Sequence, residues 1–255
     1  MKARKISRII RIQEGSNMLA AGLLFGSFIC FGFPIGGAIL LARRRRGAGK
    51  AFFMGVLAFI VSQPLLRLPL LQLVLPQYAW FAALPLSPWR YGLFLGVTAG
   101  LFEETARWTA IRFCLKDKTN IEHGLAFGLG HGGAEAILFA GIRFVSMLFL
   151  LLTGKGALLS VSAKTVCISS LERLSAIMFH IGASLLVMHG VRRKKARYLA
   201  AAILLHTLLD APIVILPIVF GAGIAEMETY AALTAACTLL IGIRCFGKNT
   251  EEHIE

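Results

Sequence analysis

The segment YGLFLGVTAGLFEETARWTAIRFCL (residues 91–115) is an apolar stretch of membrane-spanning length that carries two adjacent glutamates near its middle. A helix of about 20 apolar residues crosses the hydrocarbon core of a bilayer. An ionisable side chain near the centre of that core costs roughly 3 kcal/mol on insertion scales, so it faces the protein interior and usually marks function. This segment therefore predicts a membrane protein with a functional site among its helices.

The rest of the chain has the composition of a membrane protein. Hydrophobic residues make up 57% of the 255 residues and charged residues 16%, whereas soluble domains carry about 25% charged residues. We predict an all-α, polytopic integral membrane bundle of about seven transmembrane helices, within a range of six to eight. It forms one domain over residues 1–255, with a basic N-terminal tail at 1–17 and a C-terminal tail at 245–255. The predicted spans are residues 18–42, 51–75, 91–115, 124–152, 171–191, 198–220 and 227–244.

The second predicted span has a polar and proline-rich end. Pro64, Arg67 and Pro69 interrupt it, so we expect a kink there or a position in the membrane interface. Residues 76–90 follow it and contain two Trp, one Tyr and several Pro, which is typical of a connector in the aromatic belt of a bilayer.

The basic residues lie in short runs between the predicted spans, at 43–50, 116–118, 192–197 and 244–248. A net charge of +14 is also found in nucleic-acid-binding proteins, but those present a basic face on a soluble fold, so we exclude nucleic acid as a partner. The runs fall on alternate loops and should be cytoplasmic, which predicts an N-terminus outside and a cytoplasmic C-terminus. The basic tail at 1–17 disagrees with this orientation, and one hypothesis is that the natural chain starts at Met18.

Three other predicted spans also carry ionisable side chains. Counted from the basic ends at about 1.5 Å per residue, all of these groups lie roughly 10–20 Å into the membrane, at the same depth as the two glutamates of 91–115. Helices of opposite direction thus agree on one layer, which predicts a single pocket at mid-depth or in the cytoplasmic half. The groups, with one phenylalanine on the same helix stripe, are Phe127, His131, Glu135, His180, His206 and Asp210.

The two adjacent glutamates are expected to differ in their surroundings. Glu103 and Arg107 are four residues apart, so they share a helix face and can form an ion pair. Glu104 points about 100° away and can reach another neighbour. Different neighbours allow the two carboxyl groups to hold different protonation states, which general acid–base chemistry uses.

Structural roles are an alternative interpretation of these polar groups, because Glu–Arg and His–Asp pairs can simply join helices. We favour a site, because the set holds more acids than one arginine can neutralise. A snorkelling or ion-paired structural role is expected for Arg67. A capping or inter-helix pair is expected for Glu172 and Arg173 near the outer boundary.

The order of these motifs resembles that of the glutamic-type intramembrane peptidases. That group includes the type II CAAX prenyl endopeptidases, their bacterial CPBP relatives and the PrsW proteases. The segment GLGHGGAEA, which follows EETARW, is most similar to the YhfC family of bacterial membrane peptidases, and the resemblance extends from the first span to about residue 220. The motifs are Glu103-Glu104-x-x-Arg107, Phe127-x-x-x-His131 and His206-x-x-x-Asp210.

The resemblance implies a mechanism for peptide hydrolysis. Glu103 or Glu104 would activate a water molecule with help from His131. His206 and Asp210 would polarise the scissile carbonyl and stabilise its oxyanion. Supporting positions are expected at Arg107, Phe127, Glu135 and His180.

The chain departs from the prenyl endopeptidase pattern in three ways. Two residues instead of three separate the glutamates from the arginine, Asp210 replaces an asparagine, and Glu135 and His180 are added. A metal-free glutamate mechanism is favoured, because the chain has no HExxH signature. Zinc stays open as an alternative, and its expected ligands are His131, Glu135, His206 and Asp210.

Together, the motifs and the resemblance predict an intramembrane endopeptidase in a bacterial cytoplasmic membrane. It would cleave a membrane-anchored protein or a lipophilic peptide near the cytoplasmic side. Two other classes remain open: a proton-coupled transporter whose acids and histidines relay protons, and a non-catalytic immunity or scaffold protein built on a peptidase fold.

Overall fold

The computed structural model describes the backbone of residues 2–116, 118–156 and 159–251, and the side chains from residue 15 to residue 246 within those ranges. The described backbone is helical, with short connections and no strand, which confirms the predicted all-α fold. Helical backbone from Lys2 precedes the first long helix, and helical backbone as far as Glu251 follows the last. The seven long helices are α1 (Gly15–Arg44), α2 (Ala48–Gln77), α3 (88–115), α4 (Ile121–Leu152), α5 (Ala163–Arg193), α6 (Arg197–Phe220) and α7 (Ile224–Phe246).

Six of these helices are long and apolar enough to cross a bilayer, and α3 is the exception. Helix α3 carries Glu103, Glu104 and Arg107, which lower its apolar character, but all three side chains are buried inside the bundle. The bundle therefore confirms a multi-pass membrane protein within the predicted range of helices. Helix α5 begins well before the predicted residue 171, because Ser162 caps it by accepting a hydrogen bond of 3.1 Å from the backbone N–H of Thr165.

Helix α5 is the centre of the bundle. It packs against α1, α3, α4, α6 and α7, and nearly every residue from 177 to 190 is buried. Polar side chains buried inside the bundle are shielded from lipid and from bulk water, so partners on neighbouring helices have to satisfy their hydrogen bonds. His180 and Ser184 are two such residues, and both face the polar cluster on α3.

Helices α2 and α4 touch through their backbones. A Cβ atom on Gly130 would lie 2.0 Å from the carbonyl oxygen of Phe52, and one on Gly55 would lie 2.1 Å from that of Phe127. Only glycine allows this approach, as small residues do in membrane bundles. The approach brings the middle of α2 against the helix that carries His131.

The proline-rich end of α2 departs from regular α-helical hydrogen bonding, within one continuous helix. Its hydrogen-bonding pattern widens into π-helical turns at Val61–Arg67 and Leu70–Val74, because Pro64 and Pro69 cannot donate backbone hydrogen bonds. Turns of this kind are frequent at functional sites. The first of them holds Gln63, which points into the bundle. Short helical turns at Leu75–Gln77, Ala79–Ala82 and Leu84–Leu86 lead on to α3.

Candidate active site

The carboxylate of Glu103 is the point on which the polar side chains converge. Its Oε1 atom accepts a hydrogen bond from Nε2 of Gln63, and its Oε2 atom lies 2.9 Å from Nε2 of His131. Nε2 of His206 lies 3.6 Å from Oε1, and Nε2 of His180 lies 4.0 Å from Oε2. Side chains from α2, α3, α4, α5 and α6 thus meet at one carboxylate.

Glu104, and not Glu103, is the ion-pair partner of Arg107. Nε of Arg107 lies 2.8 Å from Oε2 of Glu104, and Nη2 lies 3.2 Å from Oε1. The predicted Glu103–Arg107 pair is therefore wrong. Residues three apart on a helix are neighbours just as residues four apart are, and Glu103 is turned towards Gln63 and His131 instead.

Arg107 also connects α3 to α5. Its Nη1 atom donates to the backbone carbonyl of His180 at 2.9 Å and to the hydroxyl of Ser184. Its Nη2 atom lies 2.9 Å from Nδ1 of His180. Because a guanidinium group only donates, Nδ1 of His180 must accept this bond. The ring proton of neutral His180 then sits on Nε2, which donates to Oε2 of Glu135 at 2.5 Å.

In His206 the ring nitrogens have the reverse roles of those in His180, because Nδ1 is the donor. Its Nδ1 atom lies 2.9 Å from Oε1 of Glu104, a carboxylate oxygen that already accepts from Arg107. Nδ1 therefore donates, and Nε2 is left to face Glu103 and Asp210, with Oδ2 of Asp210 at 3.7 Å. A carboxylate that orients a histidine in this way is common behind catalytic and metal-binding imidazoles.

Gln63 is a site residue that the sequence analysis missed, and Arg67 orients it. Nη1 of Arg67 donates to the amide oxygen of Gln63 at 3.2 Å, which leaves the amide nitrogen directed at Glu103. Arg67 also donates to the carbonyl oxygen of Leu95 at 2.7 Å and to Thr98 at 3.2 Å. It therefore bonds neutral groups of α2 and α3, in place of the snorkelling or ion-paired role expected for it. A glutamine inside an apolar span, just before a proline, was the available signal.

Arg173 extends the polar network towards the end of α5 that is remote from the basic loops. It lies 2.9 Å from Oε1 of Glu135 and also pairs with Glu172. The expected inter-helix pair at this position is thus present, and through Glu135 it reaches His180. Phe127 takes no part in this network, because it is fully buried in the apolar core.

A cavity of about 310 Å³ adjoins this cluster. Three acidic residues and two histidines are among its lining residues: Glu103, Glu135, Asp210, His180 and His206. Glu104 and His131 lie behind this wall and are fully buried. Glu103 is therefore the member of the adjacent glutamate pair that borders space in which water and a peptide can be placed.

The donor atoms near Glu103 are of types that zinc binds. Ligand atoms of Glu103, His131 and His180 all lie within 4.8 Å of one another, and two imidazoles with one carboxylate form a known zinc donor set. This group shares only His131 with the expected zinc ligands. The hydrogen bonds do not follow the usual pattern of zinc-bound histidines, in which the second ring nitrogen donates its N–H. Nδ1 of His180 accepts from Arg107, and Nδ1 of His131 is buried without a hydrogen-bond partner among the described residues.

Comparisons with known proteins place the chain among membrane proteins. A family model described as YhfC intramembrane metalloprotease matches residues 29–235, a range that holds every residue of the cluster. The chain is 33% identical over 242 residues to "Uncharacterized membrane protein YhfC" of Bacillus subtilis (strain 168), covering 85% of this chain and 92% of that protein. No solved structure matches the chain.

Proposed function

The chain belongs to the YhfC intramembrane metalloprotease family, and we propose that it hydrolyses a peptide bond of a membrane-anchored protein or lipophilic peptide within the bilayer. The observation that carries this proposal is the position of Glu103. Its carboxylate is held by Gln63 and His131, and Glu103 forms part of the wall of a cavity among the helices. We place the protein in a bacterial cytoplasmic membrane with its basic loops and C-terminus in the cytoplasm.

Glu103 is the general base of the proposed reaction. It takes a proton from a water molecule in the cavity while the water oxygen attacks the carbonyl carbon of the scissile bond. Gln63 and His131 hold the carboxylate in the orientation that this transfer needs. The proton then passes from Glu103 to the leaving nitrogen as the C–N bond breaks.

His206 and Asp210 face the same cavity and act on the substrate carbonyl. In its doubly protonated form His206 donates Nδ1–H to Glu104 and directs Nε2–H into the cavity, where it stabilises the developing oxyanion. Glu104 and Arg107 are positioning residues, because they hold His206 and His180 without bordering the cavity.

Zinc-dependent hydrolysis is the second candidate. The family description and the grouping of Glu103, His131 and His180 favour it. These three residues would hold the ion, and bound zinc supplies an activated water and a Lewis acid for the carbonyl. His180 joins such a site through Nε2 only if Arg107 releases Nδ1.

A comparison of new protein N-termini in membranes tests the proposal. Membranes with the wild-type chain, Glu103→Gln and Glu172→Gln are compared by mass spectrometry of terminal peptides. Glu172 is the matched control, because it is a partly exposed carboxylate that bonds Arg173 away from Glu103. We expect peptides that are present with the wild type and Glu172→Gln and absent with Glu103→Gln.

Equal peptide sets in all three membranes would count against hydrolysis. A cellular function that is lost without the chain but kept with Glu103→Gln would then support the non-catalytic scaffold role. Proton flux in liposomes without any cleavage would support the transporter.

A further inference from the structure

The cavity beside Glu103 extends in one direction only. On each of five helices, the wall residue nearest to the basic loops is a member of the polar cluster itself. From these five residues, the cavity wall continues along each helix towards the end that is remote from the basic loops. The five are Gln63, Glu103, Glu135, His180 and His206.

The far wall shows how long this extension is. Leu95 precedes Glu103 by two helical turns, and Val214 follows His206 by two turns. At about 1.5 Å per residue, each of these positions lies roughly 12 Å from the cluster, towards the ends of α3 and α6 that are remote from the basic loops. Arg173 lies at a similar height on α5.

Between α3, α4, α5 and α6, the layer on the basic side of the cluster is closed. An apolar groove of about 580 Å³ between α2 and α3 also runs towards that side, but no member of the polar cluster lines it. The closed layer consists of fully buried side chains from α3, α4, α5 and α6. The Glu104–Arg107 ion pair lies at its boundary with the polar cluster. No wall residue of the cavity belongs to this layer. Its members are Arg107, Ile111, Phe127, Ser184, Leu185 and Ala202.

Exposure rises in the direction in which the cavity extends. Along α6, the side chain of His206 is 3% exposed, and that of Asp210, one turn farther from the basic loops, is 32% exposed. An aspartate in the middle of a span requires water or a polar partner. Asp210 has His206 as a polar partner and also borders the cavity, so water in the cavity can solvate its carboxylate.

We propose that the substrate segment reaches Glu103 from the side of the bilayer opposite the basic loops, which is the extracytoplasmic side. This proposal rests on the proposed peptidase function. The substrate class is then a membrane-anchored polypeptide whose scissile bond lies in the outer half of the bilayer or just outside it. The basic half of the membrane, where the sequence analysis placed the cleavage, holds the closed layer.

Accessibility of engineered cysteines tests the direction directly. Ala176→Cys and Val214→Cys place thiols in the cavity wall, and Arg44→Cys places one at the basic end of α1, where the side chain is exposed. Each variant is treated with the membrane-impermeant reagent trimethylammonioethyl methanethiosulfonate, in right-side-out and in inside-out vesicles. Mass spectrometry of the tryptic peptides separates the new cysteine from the native ones.

We expect the two wall cysteines to react in right-side-out vesicles and the Arg44→Cys thiol to react in inside-out vesicles. Reaction of the wall cysteines on the same side as Arg44→Cys would overturn the proposal. Failure of both wall cysteines to react on either side, in vesicles where Arg44→Cys reacts, would overturn it as well. Ala176→Cys is the smaller change in the wall, and it stays informative if Val214→Cys does not fold.

The labelling result does not depend on catalysis, so the two proposals can fail separately. Absence of Glu103-dependent cleavage, together with wall cysteines that react from the opposite side, would remove the peptidase function and keep the direction of access. Where cleavage is present, modification of Ala176→Cys from that side should abolish it. The same treatment of Arg44→Cys should leave cleavage unchanged.

Discussion

Gln63 donates a hydrogen bond to the carboxylate of Glu103 from the neighbouring helix, and Arg67 fixes the direction of that amide. The donor comes from a π-helical turn next to a proline. An ordinary α-helical turn would place this side chain differently along α2. The interruption of α2 is thus tied to the geometry of the proposed base.

Replacement of Gln63 by Leu removes this donor and keeps an apolar side chain of similar size. A hydrogen bond to a charged group contributes about 1.5–3 kcal/mol, so cleavage should slow by about ten- to a hundredfold. Rates of appearance of Glu103-dependent peptides measure the effect. Gln77→Leu is the control, because Gln77 is exposed and donates only to Leu73 on its own helix. Equal rates in the two variants would mean that Gln63 does not position the base.

The two adjacent glutamates should respond differently to the same substitution. Glu104→Gln leaves the fully buried guanidinium of Arg107 without its ion-pair partner, and breaking a buried pair costs about 3–5 kcal/mol. Glu103→Gln keeps hydrogen-bonding atoms towards Gln63 and His131 without the charge. We expect Glu104→Gln to lower the unfolding temperature in detergent markedly and Glu103→Gln to abolish cleavage with little change in that temperature.

Glu172→Gln serves as the reference for both measurements. Its carboxylate is partly exposed, so neither the unfolding temperature nor cleavage should change. A Glu104→Gln variant as stable as Glu103→Gln would contradict the assignment of Glu104 to the structural ion pair.

Treatment with a metal chelator distinguishes metal-free hydrolysis from zinc-dependent hydrolysis. Arg107 donates to Nδ1 of His180, and Nδ1 of His206 lies 2.9 Å from Oε1 of Glu104, so these rings are oriented by the protein itself. We expect less than one zinc per chain after purification, and cleavage that persists in a strong chelator. Elemental analysis and activity on the same sample give both values. Stoichiometric zinc that is lost in His131→Ala, with activity restored by added zinc, would favour the metal-dependent form.

The sequence predicted the helical bundle and the meeting of polar side chains from several helices, because both follow from hydrophobic length and from the position of each group along its span. It paired Arg107 with Glu103 in place of Glu104, because spacings of three and four both place residues on one helix face and the spacing alone does not distinguish them. It missed Gln63 because a single neutral amide in an apolar span is equally typical of a side chain that only joins two helices. The direction of the cavity depends on which side chains of five helices border one space, which no pattern within one helix contains.

The close contact between α4 and α5 sets the distance between Glu135 and His180. A Cβ atom on Gly128 would lie 2.4 Å from Cα of Ile181 and 2.9 Å from the carbonyl oxygen of His180. Because these are backbone atoms of α5, no change of side-chain rotamer can move them out of the way. Gly128→Ala should therefore separate the two helices, at a cost of roughly 1–3 kcal/mol or more, and should lower both the unfolding temperature and cleavage.

Gly36→Ala is the matched control, because a Cβ atom at Gly36 on α1 would meet nothing within 4 Å. Alanine is favoured over glycine in a helix by up to about 1 kcal/mol, so this variant should be as stable as the wild type or slightly more stable, with unchanged cleavage. If Gly128→Ala behaved like Gly36→Ala, α4 and α5 could move apart without disturbing the site. The hydrogen bond between Glu135 and His180 would then have no part in holding the cluster around Glu103.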